Sequence, residues 1–153
     1  LHHTRKVGGR FVYLSSDYCY ADTGLPHPET DPLLPVNTYA WSKLGGECVA
    51  QTYPHSLIVR GSWYRDLTLT AASTDGYTSK VPVEKAAGWV AALSTSTVTG
   101  VVNVGGERRS LYEIVVQFNP NCRPITRAQV QLPYPVPRDS SLDCTRLHAI
   151  VGF

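Results

Sequence analysis

The sequence predicts an α/β fold built on a parallel sheet, and three observations carry that prediction. Two short apolar runs, residues 10–16 and Ser56-Leu57-Ile58-Val59-Arg60, flank a stretch of helical periodicity. That is the strand–helix–strand order of a right-handed crossover. A second helix-like stretch, Val83 to Leu93, precedes a third apolar run, Gly100-Val101-Val102-Asn103-Val104. Finally, 153 residues, 42% of them hydrophobic, suffice for a buried core and exclude a disordered or collagen-like chain.

Each element has its own signals. In residues 10–16, Val12 and Leu14 alternate with Tyr13 and the run ends in Ser15-Ser16, which suits a central parallel strand with a polar C-terminal end. Gly24, four prolines (Pro26, Pro28, Pro32, Pro35) and several acids make residues 21–36 a loop. A helix then starts at Asn37 or Thr38 and runs to about Tyr53, closed by Pro54. Its apolar stripe is Ala40, Trp41, Leu44 and Cys48, beside an edge carrying Tyr39 and Lys43. Gly45 and Gly46 each cost that helix about 1 kcal/mol relative to alanine, so another element is expected to approach closely there. Residues 61–80 are rich in Thr, Ser and Gly and show no period. The helix from Val83 to Leu93 presents Ala87, Val90 and Ala91 on one face. Gly105-Gly106 is a strand-to-helix turn, since its spacing fits neither a phosphate loop nor a dinucleotide fingerprint. Ser110 and Glu113 form a capping box. Residues 119–139 are a proline-rich loop with a short strand near Val130, and Ser141 to Leu147 supply a last helical turn.

Composition removes several function classes. A net charge of +2, with scattered charges, gives no nucleic-acid footprint. His2-His3-Thr4-Arg5-Lys6 and Arg108-Arg109 read as solvated surface. No apolar stretch approaches the roughly 18 residues of a membrane span, and no secretory signal is visible. Cys19, Cys48, Cys122 and Cys144 are far apart, with no Cys-x-x-Cys, so buried free thiols and a cytoplasmic location are expected. The five histidines lack metal-ligand spacing, and Ser16 has neither a partner motif nor a Gly-x-Ser-x-Gly elbow. No metal site and no hydrolase are expected. The chain holds no methionine and begins at Leu1, so a truncated or partial sequence is expected.

The chemistry concentrates in Tyr39-Ala-Trp-Ser-Lys43. Four residues apart on a helix, the phenol and the ammonium lie one turn from each other on one face. An unperturbed tyrosine, with a pKa near 10, is a poor acid at pH 7, and a nearby ammonium favours the phenolate. The pair suits a tyrosine that transfers a proton near neutral pH. At the end of the first strand, the Ser16 hydroxyl is placed to hydrogen-bond the same substrate oxygen, and Asp17 to tune the site or act as a second acid. A ketone held there and met by a hydride becomes an alcohol.

These residues carry a resemblance. The run from Phe11 to Ser62 resembles the catalytic segment of the extended short-chain dehydrogenase/reductases, and is most similar to their dTDP-4-dehydrorhamnose reductase-like, sugar-nucleotide-binding branch. Tyr13-Leu14-Ser15-Ser16-Asp17-Tyr18 resembles that branch's strand motif, Tyr39 and Lys43 its Tyr-x-x-x-Lys, and Arg60-Gly61-Ser62 its Arg-Thr-Ser. Asn103-Val104-Gly105 and Ser141 to Leu147 resemble later landmarks more loosely. The resemblance implies the C-terminal part of a Rossmann-like parallel sheet plus a small substrate-binding region. Residues 1–62 would be the catalytic half; residues 63–153 would bind substrate and return a strand and a helix. It also implies NAD(P)H-dependent reduction, or a related epimerisation, at the C4 keto group of a deoxysugar nucleotide, with NADP or NAD as cofactor. Tyr39 would donate the proton, Lys43 would hold the cofactor ribose, and Ser16 would polarise the carbonyl. Arg60 and Ser62 would lie on the cofactor side; Asp75, Tyr77 and Arg138 would lie on the substrate side.

The sequence departs from that family at Cys19, where an aliphatic residue is more common, and more consequentially in the cofactor turn. No Gly-x-x-Gly-x-x-Gly turn is present, and Gly8-Gly9 precedes a strand where the fingerprint should follow one. Weak cofactor affinity, an unpaired apolar sheet edge and poor solubility or marginal cooperativity are therefore expected, with a homodimer or a partner covering the edge. The alternative is a non-catalytic regulatory or binding protein on the same scaffold. Ser16, Tyr39 and Lys43 together favour chemistry.

Overall fold

In the computed structural model, which describes residues 1–152, three parallel strands form the central sheet. A short helix α1 (His2–Lys6) leads to strand β1 (Phe11–Leu14), and helix α2 (Thr38–Gln51) crosses over to β2 (Ser56–Gly61). Four short strands follow: β3 (Trp63–Tyr64), β4 (Ala71–Ser73), β5 (Tyr77–Thr78) and β6 (Val81–Pro82). Helix α3 (Val83–Thr95) then returns the chain to β7 (Gly100–Val104). The remainder comprises β8 (Arg109–Ser110), α4 (Leu111–Val115), β9 (Arg123–Ile125), β10 (Asp139–Ser140) and α5 (Thr145–Val151).

The α/β class with a parallel sheet is as expected. The sheet order is β1-β2-β7, with Leu57 opposite both Val12 and Gly100. Strand β2 lies in the middle and is buried along its whole length. Strand β1, expected to be central, is an edge strand here. Its outer side has no strand partner among the described residues, and Leu14 is exposed. The open edge expected from the sequence is present.

Helix α2 begins where Asn37 caps it, the side chain accepting a hydrogen bond from the Ala40 N–H at 2.9 Å. The buried row is Ala40, Glu47 and Ala50, whereas Trp41 and Cys48 are exposed. The expected stripe is thus displaced, because a carboxylate with a buried partner, not an apolar side chain, faces the sheet. Close approach explains one glycine of the pair. A Cβ on Gly46 would stand 2.0 Å from the Tyr13 hydroxyl, while one on Gly45 would meet nothing within 4 Å.

The main core lies between β2, β7, α3 and α5, and includes Leu57, Val59, Trp89, Leu93, Val102 and Leu147. Helix α3 buries Ala86, Trp89 and Leu93; of the expected Ala87, Val90 and Ala91, Val90 packs partly buried against the core while the two alanines are exposed, since the larger side chains fill the interior. In 119–139 the short strand is β9, not a segment at Val130; it pairs in parallel with β4. The tail helix begins at Thr145, later than expected, because Leu142 and Asp143 are held extended by bonds to Ser79 and His27. The Ser110–Glu113 capping box is present, and its hydrogen bonds hold the Glu113 carboxyl below the usual range. Cys19, Cys122 and Cys144 are buried thiols as expected, but Cys48 is exposed.

Candidate functional site

At the carboxyl ends of β1 and β2, where open α/β sheets hold ligands, lies a cavity of about 380 Å³. Ser15, Ser16 and Asp17 reach it from the end of β1, Tyr39 and Lys43 from α2, and Gly61, Ser62 and Trp63 from the end of β2. The crossover brings together residues that are 23 positions apart in sequence.

Lys43 is fixed from behind. Its ammonium donates to the Leu14 carbonyl at 3.0 Å and lies 5.5 Å and 5.9 Å from the ring centroids of Tyr13 and Tyr39. Tyr39 is 54% exposed, so its ring is accessible from the cavity. Ser16 caps a turn of 3-10 helix over Asp17–Cys19: its hydroxyl accepts from the Tyr18 N–H at 3.2 Å and donates to Asp17 Oδ1 at 3.1 Å. Asp17 is buried, and burial pushes its carboxyl up to about 6, opposed by Lys80 and by hydroxyls of Ser140 and Ser16. Its second oxygen, Oδ2, has no hydrogen-bond partner among the described residues.

A larger cavity of about 740 Å³ adjoins the first, and Tyr18 and Lys80 line both. Tyr77 and Arg138 line the larger one, as do Arg127 and Tyr134. Asp75 does not. Its carboxylate accepts from the Arg127 N–H at 2.7 Å and its carbonyl from Arg138 Nε at 3.4 Å, so it shapes the wall from outside.

Arg60 also lies away from both cavities. It is buried, with Nη2 2.6 Å from Glu47 Oε2, Nε 2.9 Å from Oε1, and its guanidinium 4.8 Å from the Tyr20 ring centroid. Ser15 donates to the same carboxylate. Arg60 ties β2 to α2, and its expected place beside a cofactor gives way to this ion pair, whereas Ser62 does line the smaller cavity.

Sequence reasoning missed Lys80, Arg127 and Tyr134, which come from segments without periodicity. Tyr18 had a signal, standing next to Asp17 at the end of the strand motif. Among the described residues no group of three or more His, Cys, Asp or Glu could hold a metal ion. No described helix is long and apolar enough to cross a membrane.

Known proteins resemble this chain in sequence and in fold. Residues 2–68 match the family model of the RmlD substrate binding domain. Over 62 residues the chain is 48% identical to a dTDP-4-dehydrorhamnose reductase of Burkholderia thailandensis, a stretch covering 39% of this chain and 21% of that protein. Among solved structures, a hypothetical dTDP-4-dehydrorhamnose reductase from Sulfolobus tokodaii superposes on 99% of this chain with a TM-score of 0.85 at 26% identity, using 62% of its own length. The dTDP-4-dehydrorhamnose reductase from Bacillus anthracis, solved in complex with NADP, gives 0.84 over 98% of this chain and 62% of that one; at 20% identity it shows the shared fold. The chain thus spans under two thirds of these relatives. The resemblance to the dTDP-4-dehydrorhamnose reductase-like branch is borne out.

Proposed function

From the similarity of residues 2–68 to the RmlD substrate binding domain, we propose that this chain supplies the proton-donating and substrate-holding part of a reductase. Its substrate is a 4-keto deoxysugar nucleotide, reduced with NAD(P)H, or epimerised and reduced. The observation that supports this reading most directly is the convergence of Ser16, Tyr39, Lys43 and Ser62 on one cavity at the strand ends.

The Tyr39 phenol protonates the carbonyl oxygen as that oxygen gains negative charge, while the Ser16 hydroxyl, turning its one proton from Asp17 Oδ1 to the substrate, donates a hydrogen bond to it. Lys43, fixed by the Leu14 carbonyl, supports the phenolate left behind. Bound NAD(P)H supplies the hydride. Lys43 and Ser62 fit the hydroxyls of a ribose, whereas no glycine-rich turn in this chain fits a dinucleotide pyrophosphate. Asp17, with a carboxyl that exchanges protons near pH 6, is the second acid–base group that epimerisation next to a carbonyl requires.

Substituting Tyr39→Phe in the intact protein tests the reading. With NAD(P)H and a 4-keto sugar nucleotide, kcat should fall by about 10²- to 10⁴-fold, with substrate binding retained. Turnover near that of the parent would reject Tyr39 as the proton donor. Loss of nothing but a partner interaction would favour a regulatory protein.

A further inference from the structure

Among the described residues four cations line the two adjoining cavities, and three of them donate hydrogen bonds to backbone carbonyls. Lys43 donates to the Leu14 carbonyl at 3.0 Å. Arg127 donates to the carbonyls of Pro137 and Val136 at 3.0 and 2.8 Å. Arg138 Nε donates to the Asp75 carbonyl at 3.4 Å. Lys80 is different. Its backbone N–H bonds the Thr78 hydroxyl, but among the described residues its ammonium makes no hydrogen bond or ion pair. With Tyr18 it is one of the two described residues that line both cavities.

The two cavities ask for different chemistry. The smaller offers hydroxyls, a phenol and an ammonium, which suit a compact polar ring. The larger offers Tyr18, Tyr77 and Tyr134 among apolar walls, which suit a planar base. A ligand filling both must pass Lys80. A neutral connector would strip water from the ammonium and return nothing, while an anionic one gains charge-assisted hydrogen bonds. Asp17, the sole carboxylate lining either cavity among the described residues, faces Lys80 from the sugar side; against four cations it leaves the lining net positive.

We infer that Lys80 binds the diphosphate joining the two halves of a nucleotide sugar. This rests on the substrate reading above and adds the residue that selects a diphosphate ligand. A diphosphate also occurs in the dinucleotide cofactor. That one is held at a glycine-rich turn, which this chain lacks, so the substrate is the source chosen.

Isothermal titration of the chain with thymidine diphosphate, thymidine and NADP tests the assignment without needing turnover. Thymidine diphosphate should bind, more weakly as salt is raised. Lys80→Met should weaken it roughly 10- to 100-fold, Lys80→Arg should keep most of the affinity, and thymidine should be indifferent to both. Circular dichroism of each variant separates lost binding from lost fold, and the salt dependence of the parent stands independently of any variant. No binding of thymidine diphosphate, equal binding by Lys80→Met, or a loss confined to NADP would each overturn the inference. If reduction fails in the Tyr39 experiment while Lys80 still governs thymidine diphosphate binding, the reductase reading falls and the diphosphate site stands.

Discussion

Asp17 shows how one residue couples the site to stability. Its carboxyl is buried beside Ser16, with one oxygen unpartnered, and its pKa is pushed from an ordinary 3.8 up to about 6. Between those two values the native state holds a proton that the unfolded chain has released. The stabilisation tied to that proton is complete below about pH 4 and is lost as the pH rises through 6. At pH 8 the buried carboxylate costs up to about 3 kcal/mol, a shift of about two units. Asp17→Asn, close in shape and never charged, should therefore raise the unfolding midpoint at pH 8 and leave it nearly unchanged at pH 4. Denaturant titrations at the two pH values measure this. A stabilisation equal at both would mean that charge burial is not its cause. Lys80 and Ser140 face the carboxyl and soften the penalty, so Lys80→Met should widen the difference between the two pH values.

Helix α2 is secured at its buried row by Glu47, which meets Arg60 on β2 and Ser15 just past β1. Removing one partner of a buried pair leaves the other charge uncompensated, so Glu47→Gln should destabilise by about 3–5 kcal/mol. Replacing both, as Glu47→Leu with Arg60→Met, should cost far less. A double-mutant cycle in urea decides between this and an additive loss. The glycines give a second contrast. Gly45→Ala should stabilise by up to about 1 kcal/mol, since its Cβ enters open space, whereas Gly46→Ala displaces the Tyr13 ring. Tyr13→Leu should then recover much of the Gly46→Ala loss, as read by thermal unfolding. Legibility in the sequence follows the same lines. Tyr39 and Lys43 could be paired because four residues of helix put them on one face, and Ser16 because it ends an apolar run. The role of Arg60 was hidden because its partner Glu47, 13 residues away on another element, carries no sequence signal of burial. Lys80 was hidden because residues 61–80 have no period; β6 pairs with β3 across the intervening loop, and that pairing brings Lys80 to the site.

The whole molecule is shaped by the free side of β1. The Phe11 N–H donates to the carbonyl of His55, just before β2, and the Ser15 N–H to that of Val59 on β2. By the alternation of a strand, the N–H groups of Val12 and Leu14 point the other way, toward the open edge. Two outward amides beside an exposed Leu14 form a template for another strand. The chain as given should self-associate with rising concentration, and sedimentation velocity across a concentration series should show the weight-average mass climb. Val12→Pro removes an outward amide and leaves the β2 ladder intact, so it should lower the association. A surface substitution such as Val7→Lys, where an exposed apolar side chain lies off the strand, should lower it less. A parent chain that stays monomeric and unfolds in one sharp transition would show that this edge needs no cover. Association unaffected by Val12→Pro would move the contact elsewhere, with the exposed face of α2 bearing Trp41 and Val49 the next surface to substitute.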